Sequence, residues 1–133
     1  MSIETALRVS LRNQPGELAR VADQLGKVGV NIRAVAGVAS GSESRLEFIV
    51  DNAAEASRAW REAGISFEQV QVAVAWLPDT PGTLGRASRL LADAGINIES
   101  TYVTGTQSGR AQVAFGCADA QKADQLLAGV ARA

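Results

Sequence analysis

The chain has 133 residues, with 13 Lys+Arg against 14 Asp+Glu, no His and a single Cys. That length holds one medium domain or two very small ones, and it buries roughly two thirds of its unfolded surface without needing a metal or a disulfide. A composition 47% hydrophobic and 20% charged with net charge −1 is that of a globular protein, argues against phosphate-driven nucleic-acid binding, and, lacking His, removes His/Cys zinc sites, Ser-His-Asp and Cys-His nucleophiles.

The N-terminus reads Met-Ser-Ile-Glu-Thr-Ala-Leu-Arg, without an apolar h-region or a cleavage pattern, and is not read as a signal peptide. No uncharged apolar run approaches the ~18 residues that a membrane helix needs. The expected location is therefore the cytoplasm, with no membrane partner. Leu7, Val9 and Leu11 alternate with Arg8, Ser10 and Arg12, the pattern of a half-buried strand. Pro15 suits the N1 position of a helix. Leu18, Val21, Ala22, Leu25 and Val28 follow helical spacing, and Gly29 stops the helix. A second strand spans residues 31–39, a hairpin turn residues 41–44, and Leu46, Phe48 and Val50 form the inward face of a third strand. Asp51 or Asn52 caps a second helix with Ala56, Ala59, Trp60 and Ala63 on its buried side, and Gly64 ends it.

The pattern then recurs. Residues 13–32, NQPGELARVADQLGKVGVNI, align without a gap on residues 79–98, DTPGTLGRASRLLADAGINI, at an offset of 66 with eight identities in twenty. A repeat of that length is a whole small domain, not a solenoid unit. In the second copy Leu84, Ala87, Leu91 and Ala94 give the first helix. A strand follows from Ile98, then one with Ala111, Val113 and Phe115, then a last helix with Ala120, Ala123, Leu127 and Val130. Cys117 ends the strand segment and reads as a small buried residue. The linking run Ile65–Leu77 contains no Gly or Pro. It is long enough to serve first as a fourth strand of repeat 1 and then as the first strand of repeat 2. Ala73, Ala75 and Leu77 are expected to face the helices, leaving Val72, Val74 and Trp76 on an outer face that should be buried. The fold expected is α+β: two tandem ferredoxin-like βαββαβ units with antiparallel sheets and helices on one face, residues 1–70 and 71–133. The second lacks a final strand of its own and so leaves a sheet edge to cover.

The functional candidates lie where each first strand meets its helix. Asn13-Gln14-Pro15-Gly16-Glu17-Leu18 and its copy Asp79-Thr80-Pro81-Gly82-Thr83-Leu84 present free backbone N–H groups and the positive helix end, which favour an anionic group such as a carboxylate. Gly16 and Gly82 let a ligand approach the backbone. Asn31 and Asn97 start the next strand and offer both donor and acceptor to an amino-acid zwitterion. They lie one helix length from the loop, so a second copy of the domain would be needed to bring them to it. The same residues also serve plain structural ends: helix-start chemistry at Pro and Gly, turn support by Asn13 and Asp79, a helix-to-strand turn at Asn31 and Asn97.

Both halves resemble the ACT domain, a small regulatory module that typically binds amino acids. The resemblance rests on N-x-P-G-x-L at residues 13–18, D-x-P-G-x-L at 79–84, the amphipathic helix after each, and G-V-N-I or G-I-N-I entering the next strand. It implies ligand binding at the seam between paired units. The contacts it carries over are Leu11, Asn13, Gln14, Pro15, Gly16, Glu17 and Leu18 with Val30, Asn31 and Ile32. In the second half they are Leu77, Asp79, Thr80, Pro81, Gly82, Thr83 and Leu84 with Ile96, Asn97 and Ile98. Asp79 departs from the Asn of the first half and disfavours a nearby ligand carboxylate. Leu11 and Leu77 stand where some amino-acid-binding relatives have a polar residue.

Other features rank lower. Arg33 and Glu99 occupy equivalent positions and either pair across a seam or stay solvated. Arg58, Arg61 and Glu62 read as a solvated helix face, and residues 104–109 as a turn without the Lys of a phosphate loop. No metal-ligand clustering and no cofactor are expected. The leading reading is a non-enzymatic amino-acid-binding regulator with ligand seams, a homodimer. The alternative is a ligand-free interaction subunit that docks on a metabolic enzyme. An RNA-binding ferredoxin-like domain would need basic and aromatic residues interleaved on its central strands.

Overall fold

The computed structural model describes residues 2–131 and divides into two compact units. One is Thr5–Val70; the other joins residues 2–4 to residues 71–131. The second unit thus draws on both ends of the described chain.

The first unit is built from β1 (Ser2–Arg12), α1 (Glu17–Lys27), β2 (Ile32–Ser40), β3 (Glu43–Val50) and α2 (Ala53–Glu62). Its strands lie in the order β2-β3-β1, antiparallel, with Leu7 opposite Phe48, Val9 opposite Leu46 and Leu11 opposite Ser44. Period-2 alternation puts Leu7, Val9, Leu11, Leu46, Phe48 and Val50 on one face, where Val21 and Leu25 of α1 and Ala56 and Trp60 of α2 close the core. Trp60 is fully buried, meets Phe48 and Phe67 edge-on at centroid distances of 5.3 and 5.5 Å, and donates from Nε1 to the Val21 carbonyl at 2.9 Å. That indole satisfies its polar atom inside the core and ties α2 to α1. The opposite face carries Ala6, Glu47 and Ile49, all buried as well. There Arg8, directly opposite Glu47 in the register, donates from Nε to its carboxylate at 2.5 Å.

The second unit comprises most of β4 (Glu68–Pro78), then α3 (Thr83–Asp93), β5 (Ser100–Gln107), β6 (Arg110–Gly116) and α4 (Ala120–Ala131). Its strands run β4-β6-β5, antiparallel. Ala73, Ala75, Leu77, Val113 and Phe115 pack with Ala87 and Leu91 of α3 and Ala123 and Leu127 of α4. Val72 and Val74 on the other face are also buried and Trp76 is half-buried, as expected of an apolar outer face. Cys117 is buried.

Several local expectations change. Pro15 is not at N1: the helix begins at Glu17, with Gly16 as its N-cap in the left-handed conformation. Leu18 and Leu84 match the helical spacing of the core but are 49% and 52% exposed, because each lies in the first turn of its helix. Ala63 is exposed, since α2 ends at Glu62. Of the two proposed caps, Asn52 does the capping, accepting the Glu55 N–H at 3.0 Å, while Asp51 accepts the Asn31 N–H. β5 begins at Ser100, not Ile98, and Ile96 and Ile98 pack against the second core from the connecting segment.

Candidate functional site

The loop between β1 and α1 is fixed mainly by backbone. The Asn13 N–H donates to the Ser42 carbonyl at 2.9 Å, and the Asn13 side-chain amide donates to the Gly41 carbonyl at 2.9 Å. The candidate Asn13 therefore braces the β2–β3 hairpin through Nδ2, while its Oδ1 faces the other way in chemistry, as an acceptor. Gly16 then turns the chain at φ 89°, ψ −9°, and no side chain caps α1. The first amides of the helix are left for water or a ligand. A Cβ on Gly16 would meet nothing within 4 Å, so glycine is required there by conformation rather than by space.

Glu17 opens the helix. Arg20 donates to it from Nε at 3.1 Å, and this bond, helped by the Arg12 amide and charge, holds the Glu17 carboxyl below the usual carboxylate range. Arg12 itself forms no ion pair with another described residue.

These residues border a cleft of ≈ 340 Å³. Leu11, Arg12, Asn13, Gln14, Glu17 and Leu18 form one side; Val35, Gly37, Val38 and Ala39 of β2 form the other, with Ser44 and Leu46 of β3 between. The cleft is the open end of the helix-on-sheet sandwich, where the strands extend beyond the start of α1. Gly37 lies directly opposite Leu46. A Cβ there would sit 3.0 Å from the Leu46 Cγ, so the missing side chain is what lets Leu46 lie over the strand and form the cleft floor. Leu11 and Leu46 are nearly buried, whereas Leu18, Val35 and Val38 are open at 49%, 46% and 70%. Pro15 and Gly16 shape the turn without lining the cleft.

Val30, Asn31 and Ile32 are at the other end of α1 and do not border this cleft. Val30 is buried, Ile32 packs against the core, and Asn31 accepts the Asp51 N–H on its carbonyl at 3.1 Å while donating its own N–H to the Asp51 carboxylate at 3.0 Å. Arg12 lies within the candidate stretch 11–18; sequence reasoning missed Val35, Gly37, Val38, Ala39, Ser44 and Leu46. The usable signal was Gly37, a glycine inside a strand pattern, which marks close approach of something to the backbone.

The second unit repeats the turn with different chemistry. Gly82 has φ 90°, ψ −12°, and the Asp79 N–H donates to the Gly109 carbonyl at 2.9 Å. Thr83 replaces Glu17 and is buried; its hydroxyl meets that of Thr80 at 2.9 Å and accepts from Arg86 at 3.2 Å. Pro81 is exposed beside them, and Leu77 is core. Val103 stands at the position of Gly37, opposite Val113, and is 61% exposed. Asn97 is exposed on the connecting segment, between Ile96 and Ile98.

A second groove of ≈ 590 Å³ follows the end of α2, lined by Arg61, Gly64, Ile65, Ser66, Phe67 and Gln69, with the Arg61 guanidinium 5.4 Å from the Phe67 ring centre. It contains none of the candidate residues. Among the described residues no group of three His, Cys, Asp or Glu could hold a metal, and no helix is long and apolar enough to cross a membrane.

Residues 62–127 match the family model of the ACT domain. Over the chain as a whole, the fold is similar to that of a protein from Bacteroides thetaiotaomicron, at 23% identity and TM-score 0.84, covering 96% of this chain and 88% of that one. It is also similar to the regulatory subunit of aspartate kinase from Thermus thermophilus, at 23% identity and TM-score 0.66, over 97% of this chain and 95% of that one. The regulatory subunit of aspartate kinase from Thermus flavus gives 22% identity and TM-score 0.67 over 97% and 94%. No curated protein sequence matches. The chain has an ACT-domain-like, ferredoxin-like α+β fold, consistent with a tandem ACT architecture.

Proposed function

We propose that this protein is a non-catalytic, amino-acid-binding regulator that acts on an enzyme of amino-acid metabolism. The observation that carries the reading is the cleft at the uncapped start of α1. It has backbone amides and Arg12 for a carboxylate, the Glu17 carboxylate for an ammonium, and a size suited to a small molecule. The ACT match and the likeness to regulatory subunits of aspartate kinase support a regulatory, non-catalytic role. They also favour a metabolic enzyme, in the cytoplasm, as the regulated partner. A homodimer would bring Asn31 or Asn97 of one copy to the loop of another, adding contacts that a single unit does not supply. Ligand that bound such a seam would shift association or orientation and so signal.

An amino acid has about 7–12 heavy atoms, and small ligands gain at most ~1.5 kcal/mol per atom, so a Kd between about a micromolar and a millimolar is expected. At a concentration 100-fold above Kd, linkage adds about 2.7 kcal/mol of stability, a melting shift on the order of 10 °C for a chain of this size. A thermal-shift screen against the twenty amino acids tests the proposal. A shift of several degrees for one chemical group of them is the expected result; none for any, in folded protein, rejects ligand sensing and favours the ligand-free interaction subunit.

A further inference from the structure

Resting on that reading, we infer that the cleft of the first unit selects amino acids with aliphatic side chains, and that the equivalent position of the second unit does not take them. The zwitterion recognition is common to all amino acids, so selectivity must come from what the side chain meets. Here it meets carbon. The floor is Leu11 and Leu46, and Leu18 and Val35 rise beside it on the same side of the sheet, whereas Val38, paired with Arg45, belongs to the other face. Leu18 and Val35 are two of the five large hydrophobic side chains that remain exposed among the described residues. Single exposed apolar residues need no explanation, but a group of them around a concave surface marks a place where apolar surface is to be covered.

The charges of the lining leave nothing for a charged or strongly polar side chain. The Glu17 carboxylate, beside Arg20, is matched to the ligand's own ammonium, and the Asn13 amide nitrogen is held by Gly41. Arg12, without an ion-pair partner among the described residues, is the group that fits the ligand carboxylate. A lysine or aspartate side chain laid on Leu11 and Leu46 would lose hydration with no partner in return. Valine, leucine or isoleucine would cover the exposed carbons instead.

The second unit is built differently at this position. Val103 stands opposite Val113 where Gly37 stands opposite Leu46, so a branched side chain takes the place of the glycine. Its loop presents Asp79 and the Thr80–Thr83 hydroxyl pair in place of Asn13 and Glu17. Aliphatic ligand is thus directed to one site per chain.

Calorimetric titration of the full chain with valine, leucine, isoleucine, threonine, lysine and aspartate tests the inference. Three variants accompany it: Val35→Asp and Arg12→Gln at the cleft, and Val103→Asp as the second-unit control. All three positions are exposed, and a melting curve confirms that each variant folds. The expected result is binding of the aliphatic amino acids with a stoichiometry of one per chain. Val35→Asp should weaken it by about tenfold, Arg12→Gln should weaken it with unchanged ranking, and Val103→Asp should leave it intact. Tighter binding of lysine, aspartate or threonine overturns the aliphatic assignment and leaves the amino-acid reading standing. Aliphatic binding insensitive to Val35→Asp and Arg12→Gln overturns the location. No binding of any amino acid rejects the underlying reading itself.

Discussion

Gly16 and Gly82, 66 positions apart, adopt one backbone conformation: φ 89°, ψ −9° and φ 90°, ψ −12°. Each starts a helix from the left-handed region, where an L side chain is strained. The duplication therefore preserves a backbone geometry, and the side chains around it have diverged. Gly16→Ala and Gly82→Ala should each cost about 1–2 kcal/mol in urea unfolding. The two should cost about the same, because the one neighbour a Cβ on Gly82 meets is the Arg86 Nη1 at 3.3 Å, the movable end of an exposed side chain. Gly26→Ala, in the last turn of α1 with open space around it, should have the opposite sign and stabilise by up to about 0.5–1 kcal/mol. Equal effects at Gly16 and Gly26 would refute the conformational account.

Trp60 is the residue on which the first core turns. Trp60→Ala should cost about 3–5 kcal/mol through the cavity it leaves. Trp60→Phe should cost less, about 1–2 kcal/mol, since it keeps a ring against Phe48 and Phe67 but leaves the Val21 carbonyl without the indole N–H. Denaturant midpoints of the two variants measure this directly.

Acid should weaken the helices in a defined direction. Glu17, bonded by Arg20, and Glu55, bonded by Arg58, both titrate below the ordinary value of 4.5 in the folded protein. A depressed folded pKa gives a contribution that is complete above the unfolded pKa and lost as pH falls through the folded one. Both groups are at the surface, so the effect should be small and should shrink in high salt. Melting curves of wild type and Glu17→Gln at about pH 7 and about pH 3, with and without salt, should differ at the higher pH and converge at the lower. A gap that widened in acid would contradict the pairing.

Cys117 is buried, and burial, with the charge of Glu99, pushes its thiol above the usual range. It should react with an aromatic disulfide reagent only when the protein unfolds, at a rate that follows denaturant. Rapid labelling in buffer would show an open second core.

Most of the fold was legible because its signals are local. Alternation at Leu7, Val9 and Leu11, and the self-match of residues 13–32 with 79–98, carry the strand, the helix and the duplication without any tertiary information. The outer-face assignment of Val72 and Val74 came from the same period. What was not legible depends on where elements end in space. Leu18 obeys helical spacing, yet it overhangs a cleft because the helix starts two residues later than Pro15 suggests. The grouping of residues 2–4 with the second unit has no trace in the repeat alignment. The candidate site was half legible: residues of the Pro-Gly loop were singled out from their chemistry, while Gly37 and Leu46 were not, because their place at the cleft exists only once β2 and β3 are paired in register. Comparing Gly37 with Val103 at the repeat offset would have shown that the two halves differ at that point.

The central claim is that free amino acids bind at the cleft beside Gly16. Amide NMR spectra of uniformly labelled protein, recorded as leucine is added to about 10 mM, test it most directly. The account expects shifts centred on Asn13 to Leu18 and on Val35 to Ala39, saturating with concentration, and little change at Asp79 to Leu84. Shifts confined to the second unit, or a spectrum of folded protein that does not change with any of the twenty amino acids, would contradict it.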